Sequence, residues 1–132
     1  MSLSVEVLLC SYNGCAHLRE QLDSILDQTR PVDRLTIHDD ASTDATVALV
    51  RAWIAELAPD WRARVALHAH PVNRGFAGNF AQAVAAAQGD VLLLCDQDDV
   101  WEPDKVEALL GALGPGGPDL VFSDGLAVDA AG

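Results

Sequence analysis

Four times within the first 113 residues a short apolar run is followed by a stretch whose apolar residues recur at helical spacing. Val5 to Cys10 reads as a strand, and Leu18, Leu22, Ile25 and Leu26 then fall on one helix face that ends near Gln28, before Pro31. Leu35 to His38 reads as a second strand, followed by a helix with Val47, Val50, Ile54 and Leu57 inward, ending before Pro59. Val65 to His68 is the third strand, and a helix through Phe80, Val84 and Ala87 closes on Gly89, a residue suited to a helix C-cap. Val91 to Cys95 is the fourth. Pro103 then opens a helix carrying Val106, Leu109, Leu110 and Leu113, and Leu120 to Phe122 makes a fifth strand after a Gly/Pro break. Strand and helix in such alternation require βαβ crossovers. The expected fold class is therefore α/β, a mostly parallel sheet with helices on both faces.

In a sheet of this kind ligands bind at the carboxyl ends of the strands, near the switch in strand order. Those ends carry the polar chemistry: Ser11-Tyr12-Asn13-Gly14 after the first strand and Asp39-Asp40-Ala41-Ser42 after the second. Pro71 to Gly75 follow the third, and Asp96-Gln97-Asp98-Asp99 the fourth. Three acids so close together repel one another unless a cation sits among them. Carboxylate oxygens at Asp96 and Asp98 suit a hard divalent cation such as Mg²⁺ or Mn²⁺, which keeps positions open for phosphate oxygens. The competing role is electrostatic support of the helix opening near Pro103. Asp39, Asp40 and Asp44 have the same double reading, as ligand acceptors or as caps for the helix after Thr43. Tyr12 can stack a base or pack the rim. Trp101 can wall the site or pack a helix edge, and Lys105 can pair with a carboxylate. His38, His68 and His70 show no ligand spacing and read as packing residues.

Composition closes off several classes. The 132 residues suffice for one domain, and their net charge of −12 argues against a nucleic acid or anionic membrane partner. No apolar run is long enough to cross a bilayer. The N-terminal MSLSVEVLLCSYN lacks a basic region and a cleavage site, and three cysteines without C-x-x-C spacing fit a reducing compartment. A cytoplasmic chain without a signal peptide is expected. Neither G-x-G-x-x-G after the first strand nor a P-loop is present, so a nicotinamide dehydrogenase or P-loop NTPase is not expected.

Five segments in register, VLLCSYNG, QLDSILDQT, IHDDASTDAT, NRGFAGNF and GDVLLLCDQDDVW, resemble the nucleotide-sugar-binding part of a family 2 glycosyltransferase. The resemblance covers about residues 5 to 113 and implies the Rossmann-like GT-A fold. It implies that Cys10, Ser11, Tyr12 and Asn13 line a nucleotide site, that Asp40 hydrogen-bonds the base, and that Asp96 lies near ribose and metal. Asp98 becomes the principal ligand of Mg²⁺ or Mn²⁺. The implied function is metal-assisted, inverting transfer of a sugar from a UDP- or dTDP-sugar to a saccharide or lipid-linked saccharide acceptor, in surface polysaccharide assembly. The acidic motif is similar to that of a subgroup with bacterial rhamnosyltransferases, which makes dTDP-rhamnose one candidate donor. In this family the catalytic base comes from well beyond the D-x-D, and Asp119, Asp124 and Asp129 follow it too closely to match. Residues 1–132 are thus expected to be a donor-binding part lacking the acceptor-binding half. Two alternatives stand beside this reading. One is a nucleotide-sugar-binding module without transfer activity. The other is a receiver-type signalling domain, which would need acids after the first strand and a Lys after the fifth, where this chain has Cys10-Ser11-Tyr12 and Ser123-Asp124.

Overall fold

The computed structural model describes residues 3–96, 99–113 and 120–122. Gln97, Asp98, Asp119, Asp124 and Asp129 lie outside the described residues, so the metal-ligand expectation for Asp98 does too. The strands are β1 (Val5–Ser11), β2 (Arg34–Asp39), β3 (Val65–Ala69), β4 (Val91–Asp96) and β5 (Leu120–Phe122). The helices are α1 (Leu18–Leu26), α2 (Thr46–Glu56), α3 (Pro59–Arg62), α4 (Gly75–Ala86) and α5 (Lys105–Leu113). All strand pairs are parallel, in the order β3-β2-β1-β4-β5. The expected α/β class and order of elements hold. The one addition is α3, a single turn begun by Pro59 and too short to show helical periodicity.

β1 is buried along its whole length, which is why it is apolar at every position but Glu6 and Ser11 and does not alternate. Val5, Val7 and Leu9 meet Leu18, Leu22 and Ile25 of α1, Val50 and Trp53 of α2 and Val106 of α5 in one core. On the opposite face Leu8 and Cys10 pack under Ala83, Phe80 and Ala87 of α4. The helices therefore cover both faces, as expected from the crossovers. α2 turns Trp53 inward, where its indole N–H donates to Asp23 Oδ1 at 2.9 Å, while Val47 is only half-buried.

The expected inner face of α4 needs correction. Asn79 and Ala83 are its buried residues and Val84 points outward. A small residue lets the helix approach the sheet, and the Asn79 amide donates to the His38 carbonyl at 3.0 Å. Gly89 is not a left-handed C-cap either. Gly75 is the glycine with positive φ among the described residues, and the C-cap of α4 is Ala87. Gly89 is needed for space, because a Cβ there would lie 2.6 Å from Glu6 Cβ and 3.0 Å from Glu6 N. Glu6 is a buried carboxylate on β1 that accepts from the Gln88 and Gly89 amides, both at 2.8 Å, and from Thr36 Oγ1 at 2.6 Å. A buried carboxylate needs such donors, and these tie the end of the α4 connection to the sheet.

Candidate functional site

The sheet changes direction between β1, which leads to β2 and β3, and β4, which lies on its other side. Registers Ser11↔Asp39 and Cys10↔Asp96 bring the carboxyl ends of β1, β2 and β4 onto one rim. A cleft of about 330 Å³ opens there. Cys10, Ser11 and Tyr12 line it from β1, Asp40 from the end of β2, and Asp96 from β4. Asn73, Gly75, Phe76 and Asn79 form the remaining wall. Five of the six residues expected at a nucleotide site thus meet in one cleft. The sixth, Asn13, stands beside it with φ at 48°. Its Oδ1 accepts from the Thr43 and Asp44 amides at 2.8 and 3.3 Å, stitching the β1 loop to the β2 loop.

The two adjacent acids after β2 do different work. Asp39 is buried and accepts from Ser11 Oγ at 2.8 Å, Ser42 Oγ at 2.6 Å and the Ser42 amide at 2.8 Å. It closes a turn, the cap-like role that competed with ligand binding. Asp40 projects the other way. Its Oδ1 accepts from the Arg74 amide at 2.7 Å and its Oδ2 from the Gly75 amide at 2.9 Å, and its carbonyl accepts from the Asn73 side chain at 3.0 Å. Asp40 therefore fixes the loop entering α4 while lining the cleft. Asp44 is not the cap of α2, whose N-cap position is Ala45; one residue earlier, it accepts from the Thr46 amide at 2.9 Å and does not line the cleft. The hydroxyl of Thr46 also donates to it, and these bonds hold its carboxyl below the usual range.

Two glutamines in the QLDSILDQT segment support the rim from beneath. Gln21 is buried and its side-chain amide donates to the Asp96 carbonyl, pinning the end of β4. Gln28 accepts from the Val106 amide at 2.9 Å and donates to the Glu102 carbonyl at 2.8 Å, which seats the start of α5. Lys105 pairs with Asp99 at 3.6 Å and lies over the Trp101 ring, which is buried in the core and is not part of the cleft lining. His38, His68 and His70 form a triangular cluster, with ring centroids 4.8, 5.2 and 6.4 Å apart and His38 Nδ1 2.9 Å from His70 Nε2. Among the described residues no three His, Cys, Asp or Glu side chains are grouped to hold a metal ion.

The cleft is electrically negative. Burial, followed by the charges of Asp96 and Asp40, pushes the Cys10 thiol up to about 12. A thiol kept in its neutral form is a poor nucleophile, so Cys10 serves the cleft as a small lining residue. The hard oxygen of Asp96 and the surrounding negative potential fit a divalent cation accompanied by phosphate.

The sequence reading missed the roles of Phe76 and Asn79. The signal available was NRGFAGNF itself, a glycine just before an aromatic at the start of a helix.

The sequence profile described as glycosyl transferase family 2 matches residues 6–130. An uncharacterized glycosyltransferase of Nostoc sp. is 32% identical over 108 residues, covering 82% of this chain and 32% of that protein. The succinoglycan biosynthesis protein ExoO of Rhizobium meliloti is 32% identical over 106 residues, 80% of this chain and 28% of its own length. Among solved structures, the mannosyltransferase PcManGT of Pyrobaculum calidifontis, in complex with GDP-Man and Mn²⁺, superimposes with a TM-score of 0.78 at 30% identity. That match covers 88% of this chain and 34% of the mannosyltransferase. The chain thus spans about a third of the length of these proteins. No helix among the described residues is long and apolar enough to cross a membrane.

Proposed function

This chain belongs to glycosyl transferase family 2, and on that premise we propose that its cleft binds the nucleoside diphosphate of a sugar donor. The observation that carries the reading is the convergence of Cys10, Ser11, Tyr12, Asp40 and Asp96 at the switch point of the sheet. Each Asp40 oxygen accepts one backbone amide, and a carboxylate has about four acceptor sites in all. Capacity remains for a base N–H. Tyr12 offers an apolar face. Asp96 would hold a divalent cation, together with Asp98 as the family resemblance implies. Neutralisation of the charge that builds on the leaving diphosphate as the sugar–oxygen bond breaks is what a bound Mg²⁺ or Mn²⁺ supplies.

The activity proposed for the whole protein is inverting transfer of that sugar to a saccharide or lipid-linked saccharide acceptor during polysaccharide synthesis. The succinoglycan role in the name of one relative supports the product class. UDP- and dTDP-sugars, dTDP-rhamnose among them, are the proposed donors. The GDP-mannose in the mannosyltransferase structure adds a guanine donor to the set worth testing.

Calorimetric titration with UDP, dTDP and GDP, with Mn²⁺ and after chelation, tests the reading. Binding of at least one nucleotide, weakened by chelation and by Asp98→Asn or Asp96→Asn, is expected. Affinity equal with and without Mn²⁺ in wild type and both variants would refute the metal part. Absence of binding by all three nucleotides refutes the site.

A further inference from the structure

Phe76 is the most exposed of the large apolar side chains that line the cleft, with 64% of its surface open. An exposed apolar side chain is ordinary by itself; what marks Phe76 is that its ring lines the cleft, where a ligand covering it would recover the transfer free energy of burial. Phe76 is held on several sides. Gly75, immediately before it, has φ of 79°, a conformation that residues with a Cβ rarely adopt. The Gly75 amide is shared by Asp40 Oδ2 at 2.9 Å and Asn73 Oδ1 at 3.1 Å, and the Arg74 amide is taken by Asp40 Oδ1. On its helix side the Phe76 ring meets Phe80 edge-on, with centroids 4.9 Å apart and planes at 69°. Phe80 in turn packs against the core beneath α4, which contains Leu8 and Cys10.

The ring is therefore anchored through one edge by the core and through its backbone by the end of β2. Its open surface borders the same cleft as Tyr12, which comes from β1. Apolar clefts with a few fixed polar groups bind ligands that carry both a flat apolar part and a polar end. A nucleoside diphosphate has this division, with its base apolar on both faces and its charge at the other end. Asp96 belongs with the charged end and its cation, which leaves Asp40 and the aromatic wall for the base.

We propose that Phe76 is a binding residue of this cleft whose ring packs against the donor's base, and that Asp40, through the Arg74 and Gly75 amides, is the positioning residue that holds it there. This rests on reading the cleft as a nucleotide site. Stacking tolerates any base, so the ring adds affinity and only a modest preference for the larger purine surface beside the hydrogen bond at Asp40.

The test titrates UDP, dTDP, GDP and inorganic pyrophosphate, each with Mn²⁺, into the wild-type chain and into Phe76→Ala and Phe76→Tyr. Phe76→Ala should weaken the best nucleotide by roughly 5- to 100-fold while leaving pyrophosphate affinity and thermal stability unchanged. Phe76→Tyr should restore nucleotide affinity. Equal losses for nucleotide and pyrophosphate would overturn the assignment, because the ring would then be shaping the loop and not meeting the base. Unchanged nucleotide affinity in Phe76→Ala would overturn it as well. Wild-type protein that binds pyrophosphate with Mn²⁺ but no nucleotide removes the nucleotide reading, and this inference with it. For the positioning role, Asp40→Asn should lower nucleotide affinity in wild type by a larger factor than in Phe76→Ala. Equal factors in the two backgrounds would show that Asp40 acts without the ring.

Discussion

Acidification should begin to destabilise this protein before its carboxylates titrate, and the cluster of His38, His68 and His70 is the reason. His38 is buried at the end of β2, and its Nε2 has no hydrogen-bond partner. Burial, then the neighbouring charges of His68 and His70, lower its pKa from 6.5 to about 4, with Glu6 on β1 pulling the other way. His70 is also lowered, by burial, His68 and Arg74, against Asp40 and Asp39. The 2.9 Å contact between His38 Nδ1 and His70 Nε2 requires one ring to accept, so both rings cannot be cationic and keep it. Between about pH 6.5 and 4 the unfolded chain binds a proton at His38 that the folded chain refuses, so stability falls as pH falls through that window. At about pH 5 the full shift corresponds to about 2 kcal/mol, and solvent reaching the cluster through exposed His68 reduces this to roughly 1–2 kcal/mol. Urea melts from pH 8 down to 4.5, on wild type and His38→Gln, measure it. The wild type should lose stability across the window and the variant should lose markedly less. A wild-type curve that is flat or rises toward acid, or an unchanged slope in His38→Gln, would refute the reasoning.

Gly89→Ala should cost about 1–3 kcal/mol, since the new Cβ meets Glu6 backbone and not only a movable side-chain end. Gly111→Ala, inside α5 with open space around it, should instead add about 0.5–1 kcal/mol, and thermal melts of the two give opposite signs if the packing is as described. Glu6→Ala should destabilise by about 1–3 kcal/mol because it strands the Gln88 and Gly89 amides, a loss readable in the same melts. Asp44→Ala should lower the melting temperature slightly and leave nucleotide affinity intact, whereas Asp40→Ala should weaken nucleotide binding by about 1–3 kcal/mol. Calorimetry and melts on the pair would expose an exchange of the two roles.

The order of strands and helices was legible because strands β1 to β4 pack against helices, so apolar runs and helical periods alternate cleanly. The rim was legible for the same reason, since every break in an apolar run marked a strand's carboxyl end. Other features were hidden in pairs distant in sequence. Gly89 looks like a helix stop, and only its approach to Glu6, 83 residues away, reveals it as a steric requirement. Val84 fits a helical apolar period, yet α4 turns Asn79 inward because the His38 carbonyl needs a donor. Trp101 beside an acidic loop resembles a pocket wall, but its indole is buried between helices.

Asp39 and Asp40 show most plainly where sequence reading stops. They are adjacent and chemically identical, but a strand end sends successive side chains to opposite sides. Asp39 is surrounded by hydroxyls of Ser11 and Ser42 that consume its acceptors, while Asp40 lines the cleft with only backbone amides upon it. Asp99 has Lys105. After these internal pairings Asp96 and Asp40 still face the cleft, and their charges add to burial in raising the Cys10 thiol to about 12. A bare diphosphate entering that potential would be repelled, so the same acids that look like a flaw in the sequence set a condition on the ligand. It must bring positive charge with it, and it must present a neutral surface to the aromatic wall. A nucleoside diphosphate carrying a divalent cation meets both conditions.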